Sequence, residues 1–249
     1  MKPLAPFWRY YGGKNRAARL YPAPEHRLIV EPFAGAAGYA CRYPDRNVLL
    51  IDSSPVVAGV WRYLIATPAA ELLRLPLLQP GQCVDELHVC QEARWLIGFW
   101  CNSGTTYPGK TASTFAQLGD DVHNWAGWGH KARERVARQV DSIRHWRVQQ
   151  GDYRSAPRVE ATWFVDPPYN NKAGRRYPHQ PDCFDELGAW CRRLPGLTIV
   201  CENEGADWLP FRTVGDIKST RGTSAEVVWT NRRPLFDGTS QRVFSWGAA

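Results

Sequence analysis

Short apolar runs that stop abruptly on polar or turn-forming residues recur along this chain, and they set its predicted architecture. Leu28-Ile29-Val30, Val48-Leu49-Leu50-Ile51, Thr162-Trp163-Phe164-Val165 and Leu197-Thr198-Ile199-Val200-Cys201 are too short for helices. They are rich in β-branched and aromatic residues, the pattern of strands buried on both faces of a parallel sheet. A further strand is predicted from Val148, closed by Gly151-Asp152-Tyr153, and two later ones over 211–217 and 225–230. Helices are expected over 55–64, opened by Ser53-Ser54-Pro55, and over 184–193.

Between about 66 and 146 this rhythm stops. The segment reads as largely helical, with Gly-rich polar loops at 102–111 and at Trp125-Ala126-Gly127-Trp128-Gly129. Val136, Val140, Ile143 and Trp146 recur at helical spacing, flanked by Lys131, Arg133, Arg135, Arg138, Arg144 and Arg147. The predicted fold class is therefore α/β: a Rossmann-like sheet built from 1–65 and 147–249, split by an inserted helical region over 66–146. No internal repeat or low-complexity tract interrupts it.

Composition narrows the class without choosing a function. A length of 249 residues allows one large or two modest domains, and a net charge of +7 with a pI near 9.1 favours a polyanionic partner. Seven cysteines, odd in number and without a Cys-x-x-Cys pair, fit neither a disulfide framework nor a metal site, so no metal is expected. Met1 to Lys14 has no apolar leader and no run reaches a membrane span, which gives the expectation of a cytoplasmic protein.

Four stretches carry candidate chemistry. The strand ending at Val165 runs into Asp166-Pro167-Pro168-Tyr169, and prolines cannot continue a sheet ladder, so Asp166 falls at a strand's carboxyl end, where open α/β sheets bind ligands. An Asp-Pro turn without chemistry is the alternative. Tyr10-Tyr11-Gly12-Gly13-Lys14 brings backbone without side chains next to a cation, and Glu31-Pro32-Phe33-Ala34-Gly35 follows a strand with a tight small-residue turn that lacks the full dinucleotide fingerprint. Asp52, at the tip of the second strand, either accepts from ribose hydroxyls or caps the following helix. The basic helical face either follows a phosphate backbone or is simply solvated.

In this order and spacing, the four stretches resemble the Dam-type DNA adenine methyltransferases, in particular their shorter phage and prophage members. Cys201-Glu202-Asn203-Glu204 and Glu226-Val227-Val228-Trp229-Thr230-Asn231 are similar to the same group. Ala37 departs from it where a second glycine is common, and Tyr10 where tryptophan is usual. The resemblance implies a class I methyltransferase sheet, mostly parallel with an antiparallel strand near the C-terminus, and S-adenosylmethionine as methyl donor. It also implies double-stranded DNA as partner of a monomeric enzyme, with the inserted region as target-recognition element.

By the same resemblance Asp166, Pro167, Pro168 and Tyr169 would be catalytic. Tyr10, Lys14, Glu31, Phe33, Gly35, Asp52, Asp152 and Tyr153 would hold the cofactor, with Lys14 on its methionine carboxylate. Arg9, Lys110, Arg135 and Arg138 are the candidate DNA contacts. Transfer to RNA, to the cytosine amine or to a protein amide, and a cofactor-binding DNA module without turnover, are the alternatives.

Overall fold

A computed structural model describes residues 2–79, 81–102, 104–113, 127–219 and 222–232, apart from the side chains of 217–224. Ser103, Trp125 and Ala126 of the two predicted loops lie outside the described residues. Seven strands form one sheet: β1 (Leu28–Glu31), β2 (Asn47–Asp52), β3 (Arg147–Gln150), β4 (Ala161–Val165), β5 (Gly196–Asn203), β6 (Arg212–Ser219) and β7 (Gly222–Thr230). Their order is β3-β2-β1-β4-β5-β7-β6. All pairs from β3 to β5 are parallel, and β7 runs antiparallel to both of its neighbours.

Alternation along the strands explains two cores. Ile29, Phe164, Ile199 and Cys201 pack on one face with α1 (Pro55–Ala66), α3 (Gln91–Phe99) and α4 (His130–Val140). Val30, Trp163, Val165 and Val200 point the other way and meet Leu187 and Cys191 of α5 (Phe184–Arg192). Both faces are covered, which is why these strands read as continuous apolar runs rather than as alternating ones.

Between β2 and β3 the described residues include α2 (Ala69–Arg74), α3 and α4, with irregular chain over 75–79, 81–83, 101–102 and 104–113. Its apolar residues, among them Leu72, Leu96 and Val136, join the first core directly. Phe7 and Trp8 of the N-terminal segment enter the same core, Trp8 lying 4.7 Å from Trp61 and 5.6 Å from Phe99 between ring centroids.

Several element boundaries differ from the sequence pattern, three of them for reasons visible in the side-chain contacts. The third strand stops at Gln150, because Asp152 turns its carboxylate onto the Arg154 amide at 2.9 Å and caps a short 3-10 turn over Tyr153–Ser155. The basic helix ends at Val140, and a 3-10 turn over Asp141–Ile143 leads into β3, although Val136, Val140, Ile143 and Trp146 are all buried. Arg144 is not on a solvated helical face: its guanidinium donates to the carbonyls of Leu64, Ile65 and Thr67 at 3.1, 2.6 and 2.5 Å. It thereby supplies donors to the carboxyl end of α1, which extends to Ala66 rather than Leu64.

Candidate active site

The strand order reverses direction between β1 and β4, and that switch point is where open sheets form a ligand crevice. Three acids stand at adjacent strand tips there: Glu31 at the end of β1, Asp52 at the end of β2 and Asp166 just past β4. All three line one open cavity, together with Gly12, Gly13, Lys14, Phe33, Gly35 and Pro168. Tyr10, Tyr11, Tyr177 and His179 are also part of its wall.

The Glu31–Gly35 turn is clamped from two sides. The Gly35 N–H donates to Asp52 Oδ2 and the Ser54 N–H to Asp52 Oδ1, both at 2.9 Å, while Trp61 Nε1 donates to the Gly35 carbonyl at 2.8 Å. Gly35 has φ 44°, and a Cβ there would press the Tyr10 ring at 3.0 Å, so both conformation and space call for glycine. The side-chain cap of α1 is Ser54, which accepts from the Val57 amide at 3.4 Å. Asp52 is therefore a clamp of the turn and a cavity wall. Burial pushes its carboxyl up to about 6 against those two backbone donors.

Glu31, 1% exposed, accepts from the Ala40 N–H at 2.6 Å, and burial raises its carboxyl well above the ordinary range. Ala37, in the same turn, is the one non-glycine residue at positive φ (48°) among the described residues. Left-handed backbone of this kind is strained for a residue that carries a Cβ.

At the Asp166 corner a buried ammonium meets a buried carboxylate. Lys14 Nζ lies 2.9 Å from Asp166 Oδ1, donates to the Gly12 carbonyl at 3.2 Å and sits 4.5 Å above the centre of the Tyr169 ring. Burial disfavours the ammonium, but Asp166, Tyr169 and Glu226 outweigh it and hold Lys14 well above its ordinary pKa. Asp166 is pushed up to about 6, chiefly by burial, with Lys14 opposing. In the structure Lys14 thus pairs with the acid of the corner, since each charge is costly to bury without the other.

Tyr169 is half-buried and turned inward. Its hydroxyl donates to Glu226 Oε1 at 3.3 Å, and the Tyr21 hydroxyl donates to the same oxygen at 2.5 Å. Beyond it, Glu202 accepts from the Asn170 amide at 2.8 Å, the Asn203 amide at 2.5 Å and Trp208 Nε1 at 3.3 Å. Glu202 and Glu226 escaped the residue-by-residue reading of function. Their signal was available, because an acid inside an apolar strand needs buried donors. Tyr177, whose hydroxyl donates to the Tyr11 carbonyl at 2.6 Å, lies in a polar stretch that carries no such signal.

The remaining candidates are distributed more widely. Phe33 lines the cavity and stacks on Tyr153, with centroids 5.6 Å apart and planes at 27°. Asp152 and Tyr153 do not line the cavity; Asp152 is engaged by Arg154 at 3.1 Å. Lys110 pairs with Asp85 at 2.7 Å and Arg138 with Glu134 at 2.6 Å. Arg9 and Arg135 both pack over the Trp100 ring, at 5.6 and 4.9 Å. Among the described residues no group of three or more His, Cys, Asp or Glu is placed to hold a metal ion, and no helix is long and apolar enough to cross a membrane.

No family model and no curated protein matches this sequence. Among solved structures the chain is similar to the "putative methyltransferase yhhF from Escherichia coli", at 9% identity and a TM-score of 0.34 over 81% of this chain and 74% of the other. A likeness of that degree leaves the function to be argued from the site.

Proposed function

We propose that this chain is an S-adenosylmethionine-dependent methyltransferase acting on the exocyclic N6 amine of an adenine turned out of duplex DNA. One observation carries the reading: the Asp166-Pro167-Pro168-Tyr169 corner stands at the sheet's switch point, and its Asp166 and Pro168 line one cavity with the Gly35 turn and Asp52. A mostly parallel sheet with a single reversed strand near its C-terminus accords with it.

The cavity residues fit the cofactor. Gly12 and Gly35 keep the wall open; a Cβ on Gly12 would fall 2.5 Å from the Tyr177 hydroxyl oxygen. Asp52 would accept from the ribose hydroxyls, and the Glu31–Gly35 turn with Tyr10 and Phe33 would hold the remainder. When bound, S-adenosylmethionine supplies a methyl group on a sulfonium.

The chain's task is to prepare the acceptor. The adenine amine is a weak nucleophile because its lone pair is drawn into the ring, and two acceptors for its two hydrogens favour a localised, tetrahedral nitrogen. Lys14 engages Asp166 Oδ1 and leaves Oδ2 for one N–H; the Pro167 carbonyl takes the second. The prolines fix the spacing of these acceptors. Turning the base out of its stack costs a few kcal/mol, and stacking on Tyr169 offsets about 1–3 kcal/mol of it once Lys14 cedes the ring face.

Nucleoside mass spectrometry after incubation with methyl-labelled cofactor and either DNA or RNA tests the reading. N6-methyladenine in duplex DNA is expected, lost in Asp166→Ala while that variant still binds cofactor in calorimetry. Label on RNA or on cytosine instead would replace adenine in DNA as the acceptor, and full activity of Asp166→Ala would refute the mechanism.

A further inference from the structure

The basic residues that stand out in the sequence are mostly spent on the protein itself. Arg138 and Lys110 are in ion pairs, and Arg133 and Arg144 donate to backbone carbonyls. A different cationic segment leaves the candidate corner directly. Residues 170–177 carry Lys172, Arg175 and Arg176, all exposed, and no acid occurs before Asp182.

This segment is built rather than loose. The Asn170 amide donates to Glu202, and Asn171 Oδ1 accepts from the amides of Ala173 and Gly174 at 2.8 and 3.0 Å. A Cβ on Gly174 would collide with the Tyr169 carbonyl, so the chain folds tightly back over the corner. At its far end Tyr177 lines the cavity and holds the Tyr11 carbonyl, while the Arg176 guanidinium lies 5.4 Å from the Tyr11 ring centre. The Thr106 hydroxyl donates to the Arg176 carbonyl at 3.1 Å. The nearest acids in sequence, Asp182 and Glu186, are engaged by Arg154 at 3.2 and 3.3 Å. Among the described residues Lys172 and Arg175 form no ion pair.

We propose that Lys172, Arg175 and Arg176 form the phosphate grip of the active-site mouth and bind the duplex DNA backbone on either side of the extruded nucleotide. The inference rests on the methyltransferase reading above. A base rotated into the cavity leaves its flanking phosphates at the rim, where cations on fixed backbone release counterions on contact. The same cations would hold the strand whatever its sequence, so they contribute affinity and register rather than base choice.

The test is fluorescence anisotropy with a labelled DNA duplex across a salt series. Replacing all three as Lys172→Gln, Arg175→Gln and Arg176→Gln is expected to lower the slope of log affinity against log salt by about 2–3, with binding at least about tenfold weaker near 0.1 M salt. Arg175→Gln alone should lower the slope by about 1, which keeps the test valid if the triple variant folds poorly. Calorimetric binding of S-adenosylmethionine should match the parent throughout. An unchanged slope in both segment variants, with the parent binding duplex normally, overturns this inference and leaves the methyltransferase reading standing. A parent that binds no duplex, or prefers single-stranded RNA, overturns the DNA reading itself and this inference with it.

Discussion

Lys14, in the glycine-rich loop near the N-terminus, and Asp166, at the tip of β4, meet at 2.9 Å with side chains only 8% and 19% exposed. The same ammonium covers the Tyr169 ring, so one cation touches two of the residues assigned to the reaction. Replacing it as Lys14→Met leaves Asp166 buried without its counter-charge. The expected result is a destabilisation on the order of 3 kcal/mol at alkaline pH, smaller in acid where Asp166 takes up a proton. The acid limb of the rate profile should move to higher pH. Single-turnover rates against pH check this; an unmoved limb would mean that Lys14 does not hold the carboxylate ionised.

Asp52 and Asp166 are each pushed from an ordinary 3.8 up to about 6, first of all by burial. Between those values the folded chain keeps protons that the unfolded chain has released. The stability they contribute is complete below about 3.8 and is lost as pH rises through about 6. Activity, which uses ionised Asp166, should rise over the same interval. Melting temperatures and rates measured from about pH 4.5 to 7.5 should therefore trend in opposite directions, and Asp52→Asn should flatten the melting trend. A parent-like trend in that variant would sink the assignment.

Glu202 anchors the chain just past the corner and touches none of the reacting groups, so it acts by positioning. Glu202→Ala orphans three donors and is expected to cost about 3 kcal/mol in chemical denaturation. Its kcat should fall while cofactor affinity holds. Glu202→Gln keeps an acceptor for Asn170 and Trp208 and should recover more than half of both losses. Loss of cofactor binding in step with kcat would instead mean that the whole cavity depends on Glu202.

Ala37 holds φ 48° with its methyl buried. Ala37→Gly relieves about 1–2 kcal/mol of left-handed strain but gives up roughly 0.8 kcal/mol of methyl burial and adds chain entropy. The net change should lie within about 0.5 kcal/mol of zero. Ala137→Gly, at a buried position in α4, has no strain to relieve and should cost about 1.7 kcal/mol. Equal losses at the two sites would show that Ala37 is not strained.

The periodicity of short apolar runs was enough to read the strands, the parallel core of the sheet and the placement of Asp52 and Asp166 at strand ends. Those properties follow from local chain geometry and from burial on both faces, which act within a few residues. The sequence alone left Asp52 between two roles, extended β3 through Tyr153 and gave no sign that Lys14 meets Asp166. Each depended on a partner distant in the chain: the Gly35 amide for Asp52, Arg154 for Asp152 and the β4 tip for Lys14. The same holds for Glu202, Glu226 and Tyr177, whose roles exist only once strands β4, β5 and β7 and the N-terminal loop stand side by side. Hydrophobic pattern thus determined which segments enter the sheet. Only the fold decided which buried charge answers which, because that is settled by distance and desolvation in three dimensions.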